Sequence, residues 1–266
     1  MSNILEEIKQ HKLLEVQARK VAMPEKLLEQ QFTREPVSLR KHLLQKNSSG
    51  IIAEFKRKSP SKGFFNVNAD AAIICSGYAQ AGVAALSVLT DEKYFGGSME
   101  DLKTARKICQ CPILRKDFVV DEYQITEARA IGADVILLIA ELLTKEEVKQ
   151  FAQKAASLGL EVLLEMHSAE QLEKLNDNVH LAGINNRDLK TFDVKIEKSL
   201  ELAEKIPARF IKVAESGIQN VETLLQLKEA GFQGFLIGEL FMKQPEPAVA
   251  CAEFIQQIHQ LEKAAR

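Results

Sequence analysis

Along this chain the apolar positions change their period once. From residue 2 to about 20, Ile4, Leu5, Ile8, Leu13 and Leu14 recur at helical spacing among Glu, Lys and Gln, and Leu39, Leu43 and Leu44 predict a second short helix before Asn47-Ser48-Ser49-Gly50. From Ile51 onward the texture becomes a repeated unit of apolar run, polar loop and amphipathic segment. Runs at 51–55, 84–89, 112–116, 134–139, 161–165, 180–184, 210–214 and 234–238 predict eight strands, alternating with about eight helices. Most are apolar on both faces, as in Val135-Ile-Leu-Leu-Ile139 and Phe235-Leu-Ile237, the pattern of a parallel sheet covered by helices. Gly82, Gly132, Gly159 and Gly231 each end a helical stretch just before an apolar run, where a left-handed residue stops a helix.

A doubly wound open sheet alternates in the same way, but it commonly has about five to seven strands and often a Gly-rich nucleotide loop. Neither G-x-G-x-x-G nor a Walker sequence occurs here. Eight units instead predict an α/β fold of the (β/α)8 TIM barrel type with an N-terminal helical extension. The extension, residues 1–46, is expected to pack on a barrel of residues 47–266 as one domain.

Composition removes several functional classes. The 266 residues carry 35 basic and 37 acidic side chains, a net charge of -2, which offers no field for nucleic acid or a membrane surface. No apolar run approaches the roughly 18 residues of a membrane span, and the first residues lack a signal peptide's pattern, so a cytoplasmic location is expected. Cys75, Cys109, Cys111 and Cys251 make one C-x-C pair without a second pair or a nearby histidine, and the five histidines are scattered. Reduced, buried thiols are expected, with no metal and no cofactor.

The chemistry is expected where strands end, because barrels of this kind build their sites from the carboxyl ends of the strands. Ile51-Ile-Ala-Glu-Phe-Lys-Arg-Lys-Ser-Pro-Ser-Lys-Gly63 runs from a core strand straight into a cluster of cations, with Glu54 and Lys56 on one face about 7 Å apart. Arg115-Lys116-Asp117-Phe118, Glu165, Asn185-Asn186-Arg187-Asp188, Glu215-Ser216-Gly217 and Gly238-Glu239 occupy the corresponding ends of strands 3, 5, 6, 7 and 8. Each has an ordinary structural explanation by itself: a solvated basic loop, a helix cap, a turn, or packing for Phe95 and Phe118. Convergence on one end of six strands out of eight favours a site. Ser216-Gly217 and Gly238-Glu239 each close a strand and are expected to open a helix. Their N–H groups would then face one point between strands 7 and 8, the recurrent phosphate position of these barrels.

With these segments in view, the chain resembles the indole-3-glycerol phosphate synthases, lyases of the tryptophan pathway. The resemblance runs through Ile52-Ala-Glu-Phe-Lys-Arg-Lys-Ser-Pro-Ser61, Lys93-Tyr-Phe-Gly-Gly97, Leu114-Arg-Lys-Asp-Phe118, Gly183-Ile-Asn-Asn-Arg-Asp-Leu189, Ala214-Glu-Ser-Gly-Ile218 and Leu236-Ile-Gly238. It covers nearly the whole chain, and the first motif is the most specific. It implies a small phosphorylated anthranilate-ribulose substrate, 1-(2-carboxyphenylamino)-1-deoxyribulose 5-phosphate, closed to indole-3-glycerol phosphate with loss of carbon dioxide and water.

Residue by residue, the resemblance implies Lys116 as general acid and Glu165 and Lys56 as the base and acid of the dehydration, leaving open which lysine serves which step, with Glu54 orienting Lys56 and a substrate hydroxyl. Asn185 and Arg187 would hold hydroxyls or a carboxylate, Phe95 and Phe118 would line the anthranilate pocket, and Ser59 with Pro60 would shape a covering loop. Ser216, Gly217, Gly238 and Glu239 would bind phosphate, the last through its N–H with its carboxylate turned away, since many relatives carry serine there. Glu141 stands where some relatives have lysine, so strand 4 is expected to contribute little. Arg57 and Lys62 are expected to be solvated charge, and residues 1–46 to shield the mouth. A monomer or weak homo-oligomer is expected. The alternatives are a phosphoribosylanthranilate isomerase on the same fold and a non-catalytic phosphometabolite binder.

Overall fold

A computed structural model of the chain describes residues 4–59, 63–64, 66–188 and 193–264. Eight parallel strands close into a barrel: β1 (Ile51–Phe55), β2 (Ala85–Leu89), β3 (Ile113–Lys116), β4 (Val135–Ile139), β5 (Glu161–Met166), β6 (Leu181–Asn185), β7 (Ile211–Glu215) and β8 (Gly234–Ile237). Each pairs with its neighbours in sequence, and β1 closes the ring on β8 through Ile51 opposite Phe235. Every strand falls within one residue of the boundaries expected from the apolar runs. Both-face burial explains this agreement: β1, β2 and β4 are buried at every position, so the apolar run and the strand coincide. The four junction glycines all have positive φ, between 74° and 93°.

The helical layer differs from expectation at two places. Between β5 and β6 the connection is a single 3-10 stretch, Ala169–Lys174, rather than an α-helix. Only six residues separate Ser168 from Leu175, and the turn formers Asn176-Asp177-Asn178 follow at once, which leaves too little chain for α-helical turns. The extension holds a short helix that the apolar spacing did not predict: α2 (Glu25–Glu29), started by Pro24, lies between α1 (Ile4–Ala22) and α3 (Leu39–Leu43). No helix among the described residues is long and apolar enough to cross a membrane. Cys75, Cys109 and Cys251 are buried free thiols, whereas Cys111 is half-buried.

The extension is fastened to both ends of the barrel. On α1 the buried stripe is Leu5, Ile8, Lys12 and Val16, so a lysine occupies a core position while Leu14 is 72% exposed. The Lys12 ammonium lies 2.8 Å from Asp91 Oδ2 and 3.1 Å from Asp117 Oδ1, both at the carboxyl ends of strands. At the opposite end Asp134 accepts from Arg34 Nη1 at 2.6 Å and from the N–H of Val37 at 2.7 Å. Glu161 accepts from the N–H of Arg40 at 2.9 Å. Acids at the amino ends of β4 and β5 thus anchor the incoming chain.

Candidate active site

At the carboxyl ends of the strands lies a cavity of about 770 Å³, and every site residue expected from the sequence lines it. Ile4, Leu5 and Ile8 of α1 form part of its wall, so the extension does lie against the mouth.

β1 delivers Glu54 and, two residues on, Lys56, whose Nζ lies 2.5 Å from Glu54 Oε2. The parity of the strand sends Phe55 and Arg57 the other way, and the Arg57 guanidinium stacks 4.8 Å from the Phe55 ring. Arg57 is no solvated charge: it makes a bidentate pair with Asp101, at 2.6 and 2.8 Å, that ties the loop after β1 to α4 (Met99–Ile108). Ser59 pairs with Gly63 in a short antiparallel ribbon beyond β1. Pro60 and Lys62 lie outside the described residues.

Lys116 ends β3 and sits between two acids. Its Nζ is 3.1 Å from Glu165 Oε2, on β5, and 2.8 Å from Glu215 Oε2, on β7. Burial disfavours an ammonium here, but the carboxylates of Glu165, Glu215 and Glu54 outweigh it and hold Lys116 above its ordinary value. Burial would raise Glu165 as well; Lys116 and hydrogen bonds from His167 and Asn185 hold it well below the usual carboxylate range. Glu215 goes the other way, because burial and the neighbouring Glu165 outweigh Lys116 and push it up to about 7.

Two glycines, one on β6 and one just after β8, make room for these acids. A Cβ on Gly183, which stands opposite Glu165 on β6, would come within 2.6 Å of Glu215 Oε1. One on Gly238 would lie 2.4 Å from Glu54 Oε2 and 3.0 Å from its Cβ. The carboxylates occupy space that any larger residue at these positions would fill.

At the phosphate end the expectation needs one correction. Ser216 and Gly217 both have positive φ, 65° and 82°, so the chain cannot run from them directly into a right-handed helix. α5 (Val221–Glu229) starts later, capped by the Asn220 side chain on the Thr223 N–H. The turn is held from below by Asn186, whose Nδ2 donates to the Ser216 carbonyl at 3.1 Å. α6 (Glu239–Met242), by contrast, opens directly after Gly238 as expected. The Glu239 carboxylate lies 3.7 Å from Arg187 Nη2 and 2.5 Å from Lys243 Nζ, two residues that line the cavity.

Phe95 and Phe118 face each other across the β2 and β3 loops with ring centroids 5.9 Å apart, an apolar slot next to Lys116. Leu189, the last residue of the β6 motif, lies outside the described residues. Three participants carry no assignment in the sequence reading: Glu215, His167 and Lys12. Glu215 was detectable as an acid at a strand end; Lys12 betrays itself only by standing four residues after Ile8 and four before Val16, in the apolar register of α1.

Comparison with known proteins converges on one family. The family model described as indole-3-glycerol phosphate synthase matches residues 5–254. The indole-3-glycerol phosphate synthase of Bacteroides thetaiotaomicron is 47% identical over 259 residues, covering 97% of this chain and 100% of that protein. That of Carboxydothermus hydrogenoformans is 46% identical over 231 residues, 85% of this chain and 88% of the other. Among solved structures, a thiamine phosphate pyrophosphorylase from Pyrococcus furiosus superposes with a TM-score of 0.61 at 14% identity, over 84% of this chain and 99% of that one, a likeness of fold alone.

Proposed function

The chain belongs to the indole-3-glycerol phosphate synthase family and is a carboxy-lyase of tryptophan biosynthesis, and from that premise we propose how its barrel mouth divides the chemistry. The substrate's ketone is attacked by the aryl carbon that bears the carboxylate. As that bond forms, the carbonyl oxygen gains negative charge and needs a proton. Lys116 supplies it: its ammonium is kept charged by the acids around it and is oriented by two of them. Carbon dioxide then leaves with its bond electrons returning to the ring. Loss of water completes the indole, with Glu165 taking a proton and Lys56 giving one to the departing hydroxyl.

The remaining residues bind. Phe95 and Phe118 line the pocket for the anthranilate ring, and Asn185 and Arg187 take the hydroxyls and carboxylate. The left-handed turn at Ser216-Gly217 and the start of α6 at Gly238-Glu239 present N–H groups to the phosphate. Glu54 positions Lys56 from 2.5 Å. Residues 1–46 belong to the same unit and shield the mouth, which the contribution of Ile4, Leu5 and Ile8 to the cavity wall supports.

The observation that carries this reading is the Lys116 ammonium, clasped between two buried carboxylates from β5 and β7 inside a cavity whose other wall bears Glu54 and Lys56. Its test is direct because the chain contains no tryptophan. Indole fluorescence appearing when the substrate is added must come from product, and carbon dioxide should be released in equal amount. Folded protein that stays dark with verified substrate refutes the reading.

A further inference from the structure

Three groups grip the Glu165 carboxylate, and one of them stands outside the cavity wall. Lys116 Nζ takes Oε2 at 3.1 Å, while Asn185 Nδ2 donates to Oε1 at 3.1 Å. His167 Nε2 meets the same Oε1, also at 3.1 Å. The imidazole does not line the cavity. It follows Glu165 by two residues, so the alternation of β5 returns it to the side on which the carboxylate lies.

The turn bearing the ring is itself fixed. The N–H of His167 donates to Gln171 Oε1 at 2.7 Å, and Gln171 Nε2 donates to Glu141 Oε2 at 2.5 Å, tying the end of β5 to the loop after β4. Glu141 therefore serves as a buttress from strand 4. An ionised Glu165 accepts hydrogen bonds and gives none, so the ring must carry its proton on Nε2 to satisfy it. The other nitrogen agrees, since Nδ1 is buried and meets no partner among the described residues, an unfavourable place for an N–H.

We propose that His167 is a positioning residue for Glu165: its Nε2–H and the Asn185 amide hold Oε1, which fixes the plane of the carboxylate and leaves Oε2 as the oxygen that faces Lys116 and takes the substrate proton. This rests on the reading of Glu165 as the base of the dehydration. The ring touches no reacting atom, so its loss acts on turnover and not on substrate binding.

The test compares wild type, H167A, H167Q, E165Q and the E165Q/H167A double variant by indole fluorescence, in steady state and in single turnover. Losing one hydrogen bond to a charged group corresponds to a fall in kcat on the order of tenfold or more, with KM changed by less than about twofold. H167Q, whose amide nitrogen reaches the place of the imidazole Nε2, should recover most of the loss. In the E165Q background H167A should have no further effect, because the two changes interrupt one contact. Wild-type kcat in H167A, or the same proportional loss in both backgrounds, overturns the proposal. If H167A does not fold, H167N, too short to reach Oε1, takes its place, and full turnover in it is equally fatal. E165Q with wild-type turnover would instead remove the base, a failure of the underlying reading that differs from impaired E165Q with normal H167A.

Discussion

Lys12, on the first helix, places its ammonium 3.1 Å from Oδ1 of Asp117, the residue that directly follows Lys116. The same carboxyl accepts from Thr90 Oγ1 at 2.6 Å and pairs with Arg115 at 3.1 Å. Lys12 and Arg115 hold it down to about 2 against the effect of burial. The extension is thereby attached to the strand end that carries the proposed acid.

Replacing Lys12 by Met keeps the volume and removes the charge, leaving Asp91 buried without its cation and Asp117 with Arg115 alone. Breaking a buried pair from one side costs about 3–5 kcal/mol. The urea midpoint should fall accordingly, and turnover should fall with it as the end of β3 loosens. A stability change under about 1 kcal/mol would show that water reaches these acids.

Lys116→Ala should lower turnover by about 10²–10⁴, the size of a general-acid contribution, while circular dichroism stays that of the wild type. Normal turnover in this variant would remove Lys116 from the role.

Gly238→Ala adds a methyl group 2.4 Å from Glu54 Oε2 and 3.0 Å from Glu54 Cβ. The whole acid must shift, not only its tip, and its 2.5 Å contact with Lys56 is lost. The φ of -124° lies outside the left-handed region that favours glycine. Activity should drop at least about tenfold with little loss of stability. The reverse pattern, unfolding with activity retained in the folded fraction, would refute the link between Gly238 and Glu54.

Glu215 gives a pH signature. Its folded-state value, about 7, lies above the ordinary 4.5, so between these limits the native protein keeps a proton that the unfolded chain releases. This contribution to stability is complete below pH 4.5 and is lost as pH rises through 7. Glu215→Gln lacks it, so the melting temperature of the variant relative to wild type should climb from pH 4.5 to 8, by the equivalent of roughly 1–3 kcal/mol. A constant difference across that range would mean that Glu215 is ionised throughout.

The barrel was legible because its strands are buried on both faces, and the cavity wall because a single topological rule makes a short roster of strand-end residues. What stayed hidden depends on partners distant in sequence. Arg57 looks like loop charge until Asp101, 44 residues on, is folded against it. Lys12 looks like the polar side of an amphipathic helix until Asp91 and Asp117 surround it. The clasp of Lys116 requires β3, β5 and β7 to be neighbours across the barrel, which no local pattern expresses.

The attachment of the first helix also bears on how the chain comes to be folded during synthesis. Arg19 of α1 reaches Glu127, 108 residues further on, and Lys20 reaches Asp121, 101 residues on. At about 5–20 residues per second, α1 therefore waits roughly 5–20 s outside the ribosome before its partners emerge. The apolar stripe of Leu5, Ile8 and Val16 is uncovered for that interval. Because α1 is made well ahead of the segments that cover it, the nascent chain, rather than the finished enzyme, is the form more exposed to aggregation.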